Sequence, residues 1–131
     1  MKVKILGDVV TDSDLMEFIR SSFRTVWSVE LLLFMVGHMG RTWTEDDLVR
    51  EMRASTIVIR DGLVSLSRAG LLQSDDGGVF RYAPGSPRLE ALAEALANAY
   101  RERPLTVTRM VFEDADDRLR GFADAFRIKK D

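Results

Sequence analysis

Residues 44–72 read Thr44-Glu45-Asp46-Asp47-Leu48-Val49-Arg50-Glu51-Met52-Arg53-Ala54-Ser55-Thr56-Ile57-Val58-Ile59-Arg60-Asp61-Gly62-Leu63-Val64-Ser65-Leu66-Ser67-Arg68-Ala69-Gly70-Leu71-Leu72. Apolar residues at helical spacing are interrupted here by small polar residues at the points where helix caps belong. Thr44 can accept from the free amides of a first helical turn, and Asp47, three residues on, can reach back to it, a reciprocal pair that opens a short helix. Leu48, Val49 and Met52 fall on one face of that helix. A stop follows at Ala54-Ser55, where Ser55 or Thr56 caps a second helix whose inward face is Ile57 or Val58, with Leu63 and Leu66. Helices this close in sequence meet at a steep angle, through a turn of about three or four residues.

The second helix is expected to stop at Gly70, which supplies a left-handed residue, and Leu71-Leu72 returns to the core as the start of a strand. Asp75-Asp76-Gly77-Gly78 has the composition of a turn, and Val79-Phe80-Arg81-Tyr82 alternates like a returning strand, so a hairpin follows the second helix. Gly62 stands in the middle of the second helix, where it costs roughly 1 kcal/mol relative to Ala. Close packing of another helix accounts for a glycine there; close approach of a DNA backbone or a partner is the alternative.

Thr44, Leu48, Val49, Ser55, Val58, Leu63, Leu66 and Gly70-Leu71-Leu72 together resemble the winged helix-turn-helix of bacterial MarR-type transcriptional regulators. The likeness covers about 40 residues, or about 60 with the preceding helix. It implies a mainly α fold with a small β-hairpin wing (α+β): a winged helix-turn-helix core at residues 23–83, flanked by additional helices at 11–22 and 87–130. It also implies double-stranded DNA as the ligand, with residues 55–69 in the major groove, and a homodimer formed through the terminal helices. The side chains able to donate to phosphates or base edges are Ser55, Thr56, Arg60, Ser65, Ser67 and Arg68 on the second helix and Arg81 on the hairpin. Arg60 is the leading candidate for a base contact.

The charge balance of the same stretch supports a second expectation. Across residues 44–83 the acids Glu45, Asp46, Asp47, Glu51, Asp61, Asp75 and Asp76 outnumber Arg50, Arg53, Arg60, Arg68 and Arg81. The hairpin tip carries Asp75-Asp76 where the winged-helix family usually offers Arg or Lys. A reader of duplex DNA draws most of its non-specific affinity from neutralising phosphates. The alternative is therefore a winged-helix adaptor that binds another regulatory protein through its acidic face and hydrophobic terminal helices.

Outside this core, Thr11-Asp12-Ser13-Asp14 has the capping side chains and acids of a helix start, with Leu15, Met16, Phe18, Ile19 and Phe23 at helical spacing behind it. Residues 23–39 are apolar nearly all round, predicting a central helix buried on several sides and ended by Gly37-His38-Met39-Gly40. Trp27 and Phe34 on it are read as core, with a pocket between them and the terminal helices as the other possibility. Trp43 is expected in a short third strand. Ser86 caps a helix with Pro87 at its first position, and Leu89, Leu92, Leu96 and Tyr100 line one face up to Arg103-Pro104. Residues 105–112 read as helix or strand, because Thr106, Val107, Thr108 and Val111 are β-branched. Residues 2–6 read as strand or tail; near Asp114 a last helix opens, with Ala115, Leu119, Phe122 and Phe126 on its apolar stripe, before a basic end at Arg127, Lys129 and Lys130. So much amphipathic helix around a small core calls for a second copy or another protein to cover it.

With 131 residues, one domain is expected, and the lack of cysteine excludes disulfides, thiolate metal sites and thiol redox sensing. The N-terminal residues lack the pattern of a signal peptide, and the apolar run at 31–36 is too short to span a bilayer, so a cytoplasmic protein with no membrane partner is expected. His38, the one histidine, lies between glycines with no triad around it. Glu113-Asp114-Asp116-Asp117 lacks the spacing of a calcium loop, and Gly77-Gly78 lacks the Lys and Ser or Thr of a phosphate-cradling loop. No enzymatic activity, catalytic residue, cofactor or metal is expected.

Overall fold

The computed structural model describes residues 10–112. The readings at 2–6, at the acids 113–117, in the helix near Asp114 and in the basic end lie outside the described residues. In chain order the elements are α1 (Asp12–Ser22), α2 (Val26–Val36), β1 (Trp43–Thr44), α3 (Glu45–Met52), α4 (Thr56–Arg68), β2 (Leu72–Ser74), β3 (Val79–Tyr82) and α5 (Pro87–Glu102). A further helix, α6, occupies residues 104–112. The fold is thus mainly helical, with one small antiparallel sheet of order β1-β3-β2. Trp43 pairs with Phe80 and Thr44 with Val79, while Leu72, Gln73 and Ser74 face Tyr82, Arg81 and Phe80.

Caps set the helix starts. Thr11 with Asp14 and Thr44 with Asp47 form reciprocal boxes: each threonine Oγ1 accepts from the aspartate amide at 3.0 Å, and each carboxylate accepts from the threonine amide at 3.0–3.1 Å. The threonine backbone amide is the largest influence holding each carboxyl below the ordinary aspartate range, followed by Arg88 at Asp14 and by the Thr44 side chain at Asp47. Ser55 caps α4 and Ser86 caps α5, with Pro87 at the first turn. At the end of α4, Gly70 takes φ +83°, Leu71 N–H donates to the Leu66 carbonyl and Gly70 N–H to that of Ser67. This pair of bonds turns the chain directly into β2.

The core joins Phe18, Ile19 and Phe23, Val29, Leu31, Leu32 and Met35 of α2, and Leu48, Ile59, Leu63 and Leu66 of α3 and α4. Leu92, Ala93 and Leu96 of α5 and Val107 and Val111 of α6 complete it. α2 and α4 meet at Gly62, where an added Cβ would stand 2.9 Å from Leu31 Cδ2. The helix-packing account of that glycine holds.

Four expectations are corrected or resolved. The apolar helix does not run over 23–39: Phe23 ends α1, Thr25 caps α2, and the helix closes at Val36. The inward face of α4 is Ile59, Gly62, Leu63 and Leu66 with Val58 half-buried, whereas Ile57 is 69% exposed, because the Ser55 cap sets the helix phase. Trp27 is 44% exposed on the wall of a groove between α2 and α3, rather than core. Residues 105–112 are helical, since burying Val107 and Val111 four residues apart outweighs their β propensity.

Candidate nucleic-acid interface

α3 and α4 are separated by Arg53, Ala54 and Ser55, with Arg53 as the left-handed residue at φ +54°. Its amide donates to the Val49 carbonyl, as does that of Ala54 at 3.2 Å. This tight turn fixes α4 across α2 and α3 by one face only. The opposite face, Thr56, Ile57, Arg60, Asp61, Val64, Ser67 and Arg68, is exposed.

Of the seven side chains expected to donate to DNA, Thr56, Arg60, Ser67 and Arg68 therefore share one exposed helix surface. Ser55 lies at its start, where its Oγ accepts from Val58 N–H at 3.1 Å. Ser65 is half-buried. Arg81 stands apart on β3 and donates to Gln73 Oε1 of β2 at 2.6 Å.

Arg60 is not waiting unengaged. Its Nε and Nη2 donate to the two carboxylate oxygens of Glu45 on α3, at 3.0 and 2.9 Å. The fork-to-fork geometry holds the guanidinium in place, and the bond to Arg60 draws the Glu45 carboxyl below its ordinary range. Both partners remain in contact with water, with side-chain exposures of 62% and 27%, so solvent and salt screen the pair and a phosphate can compete for the arginine.

Sequence reasoning missed Glu45 as the partner, since fifteen residues separate the two and nothing in helical periodicity couples α3 to α4 at that distance. It also missed Arg24. With Arg68, Ser21, Ser22 and Ser65, Arg24 lines a polar recess of about 280 Å³ beside the end of α1. Ser21 Oγ donates to the Phe18 carbonyl, so two guanidiniums and the hydroxyls of Ser22 and Ser65 are what suit the recess to an anion.

The hairpin tip is acidic but not idle. Asp75 Oδ1 accepts from the Gly77 and Val79 amides at 2.9 and 3.1 Å, and Gly78, at φ +78°, donates to the Asp75 carbonyl. Asp75 is thus a turn-forming residue, while Asp76 is exposed. His38, exposed beyond α2, donates from Nδ1 to the Phe34 carbonyl at 2.7 Å and packs against the Phe34 and Trp43 rings. Comparison with protein-family models, curated proteins and solved structures finds no match.

Proposed function

We propose that residues 26–82 are a winged helix-turn-helix and that the chain is a DNA-binding transcriptional regulator, with α4 as its reading helix and β2–β3 as its wing. The observation that carries this reading is the one-sided burial of α4. Its inner face is locked on α2 and α3, and its outer face carries Thr56, Arg60, Ser67 and Arg68 along a helix of 13 residues. A helix held in that way is dimensioned for a major groove, and those side chains are donors for phosphates and base edges. Arg60 leaves Glu45 for a base or phosphate, Arg24 and Arg68 take a phosphate in their shared recess, and Arg81 follows the backbone from the wing. Leu105 and Phe112, exposed on α6, support a homodimer assembled through the terminal helices. Such a regulator acts in the cytoplasm; among the described residues no helix is long and apolar enough to cross a membrane.

Anisotropy of labelled duplex DNA over a salt series tests the reading. Affinity should fall by orders of magnitude between about 50 and 200 mM salt, as expected when several phosphates are neutralised. On a specific site Arg60→Ala should weaken binding by about tenfold or more. Absence of duplex binding at the lowest salt would refute it.

A specific observation favours the second reading, a winged-helix adaptor for another regulatory protein. Ile57, 69% exposed, and Val64, 48% exposed, flank Asp61 on the outer face of α4, and apolar surface beside a carboxylate suits a protein partner. A protein partner held there would tolerate the same salt increase and would be lost on Ile57→Asp.

A further inference from the structure

The groove between α2 and α3 is open, has a volume of about 640 Å³, and is not used by the DNA reading. That size lies within the range of about 300–1,000 Å³ common for small-molecule sites. Its apolar lining is Val26, Trp27, Leu33, Phe34 and Met52; its charged lining is Glu30 and Glu51, one from each helix. Neither carboxylate makes an ion pair among the described residues. Glu30 is moreover oriented: the Tyr100 hydroxyl, from α5, donates to its Oε2, and Oε1 has no protein donor among the described residues. The indole of Trp27, 44% exposed, stands in the same wall.

Each part of that lining selects in the same direction. Two carboxylates outside any ion pair among the described residues repel anions and leave neutral guests without an electrostatic partner, whereas a positive head group is attracted by both. An indole face attracts a cation more strongly than other aromatic faces do. The methylene and ring carbons around it would bury the body of such a molecule. We propose that this groove is a binding site for an organic cation, an ammonium or amidinium carried on an aromatic or branched aliphatic body. The proposal is independent of whether α4 reads DNA.

The test uses three probes with one body and different heads: phenylbutylamine, phenylbutanol and phenylbutyrate. Amide chemical shifts of the full chain report where each binds, and tryptophan fluorescence reports how tightly, since Trp27 is exposed and Trp43 is buried. The amine is expected to shift amides around Trp27 and Glu51 and to bind about tenfold or more tighter than the alcohol, with the carboxylate weakest. Glu30→Gln keeps an acceptor for Tyr100, and Glu51→Gln changes an exposed side chain, so both variants should fold. Each should weaken the amine severalfold and leave the alcohol unchanged. Equal binding of amine and alcohol would reduce the site to an unselective apolar groove and overturn the proposal. Shifts confined to other elements, or no binding of the amine at millimolar concentration, would overturn it as well.

Discussion

Gly62 and Leu31 are the point where two helices come as near as side chains allow. An alanine at 62 gains about 1 kcal/mol of helix propensity. It also forces a methyl to within 2.9 Å of Leu31 Cδ2, and Leu31 is enclosed by core on every side, so about 1–3 kcal/mol of overpacking is expected. Gly62→Ala should therefore lower stability by about 1 kcal/mol in urea denaturation, and the same substitution made in a Leu31→Val background should cost less. A more stable single variant would contradict the packing account. Tyr82 offers a second test. Its hydroxyl is buried with no partner among the described residues, and burial, ahead of the nearby Glu90 and Glu94 charges, pushes its pKa up to about 12. Tyr100 is also raised to about 12, first by its hydrogen bond to the Glu30 carboxylate. Both folded values lie above the unfolded value of about 10, so ionising these phenols costs the fold: stability is unaffected below about pH 10 and falls as pH rises through about 12. Tyr82→Phe removes an unsatisfied group, should raise stability by up to about 1 kcal/mol at pH 7, and should shrink the alkaline loss in thermal scans. A lower Tm at pH 7 would show that the hydroxyl has a partner.

At the scale of elements, most of the α3–α4–hairpin sequence was legible because its boundaries are local chemistry. Thr44 with Asp47, Ser55, Gly70, the Asp75–Gly78 turn and Ser86-Pro87 each act within about four residues, and each stands where the sequence places it. Features that depend on the third dimension were not legible. Periodicity leaves the phase of α4 open between Ile57 and Val58, and the inward residue is Ile59, because a strongly apolar run at 57–59 does not reveal which member turns inward. Arg53 in the left-handed region carries no signal at all, since that position is ordinarily marked by Gly or Asn. A helix so apolar suggests burial all round and Trp27 in the core, yet α3 stops at Met52 and leaves that side open. The candidate interface was legible as a set of donors and not as a geometry: the engagement of Arg60 by Glu45 and the recess shared by Arg24 and Arg68 both join residues far apart in sequence. Thr44 closes the capping box of α3 and pairs with Val79 in the sheet. Thr44→Ala is expected to cost about 1 kcal/mol, and Thr44→Ser much less, by chemical denaturation. Equal losses for both would assign the effect to the sheet instead of the cap.

For the whole molecule, two surfaces stay exposed around the shared core. One is the outer face of α4, where Glu45 competes with any phosphate for Arg60. Glu45→Gln should therefore tighten duplex binding and steepen its salt dependence, measured beside wild type by anisotropy. The other is α6, whose Leu105 is 76% and Phe112 60% exposed on a helix otherwise anchored by Val107 and Val111. If two copies pair there, Leu105→Glu with Phe112→Glu should convert a dimer to a monomer in light scattering while the circular dichroism of the fold persists. The central claim, that α4 reads duplex DNA, is tested most directly by crosslinking the tagged protein to DNA across the genome of its own cells, with the Arg60→Ala, Arg68→Ala double variant alongside. Sharp peaks over a shared palindrome that vanish in the double variant are the predicted result. Peaks that survive the substitutions, or no peaks at all, would contradict it and transfer the outer face of α4 to a protein partner.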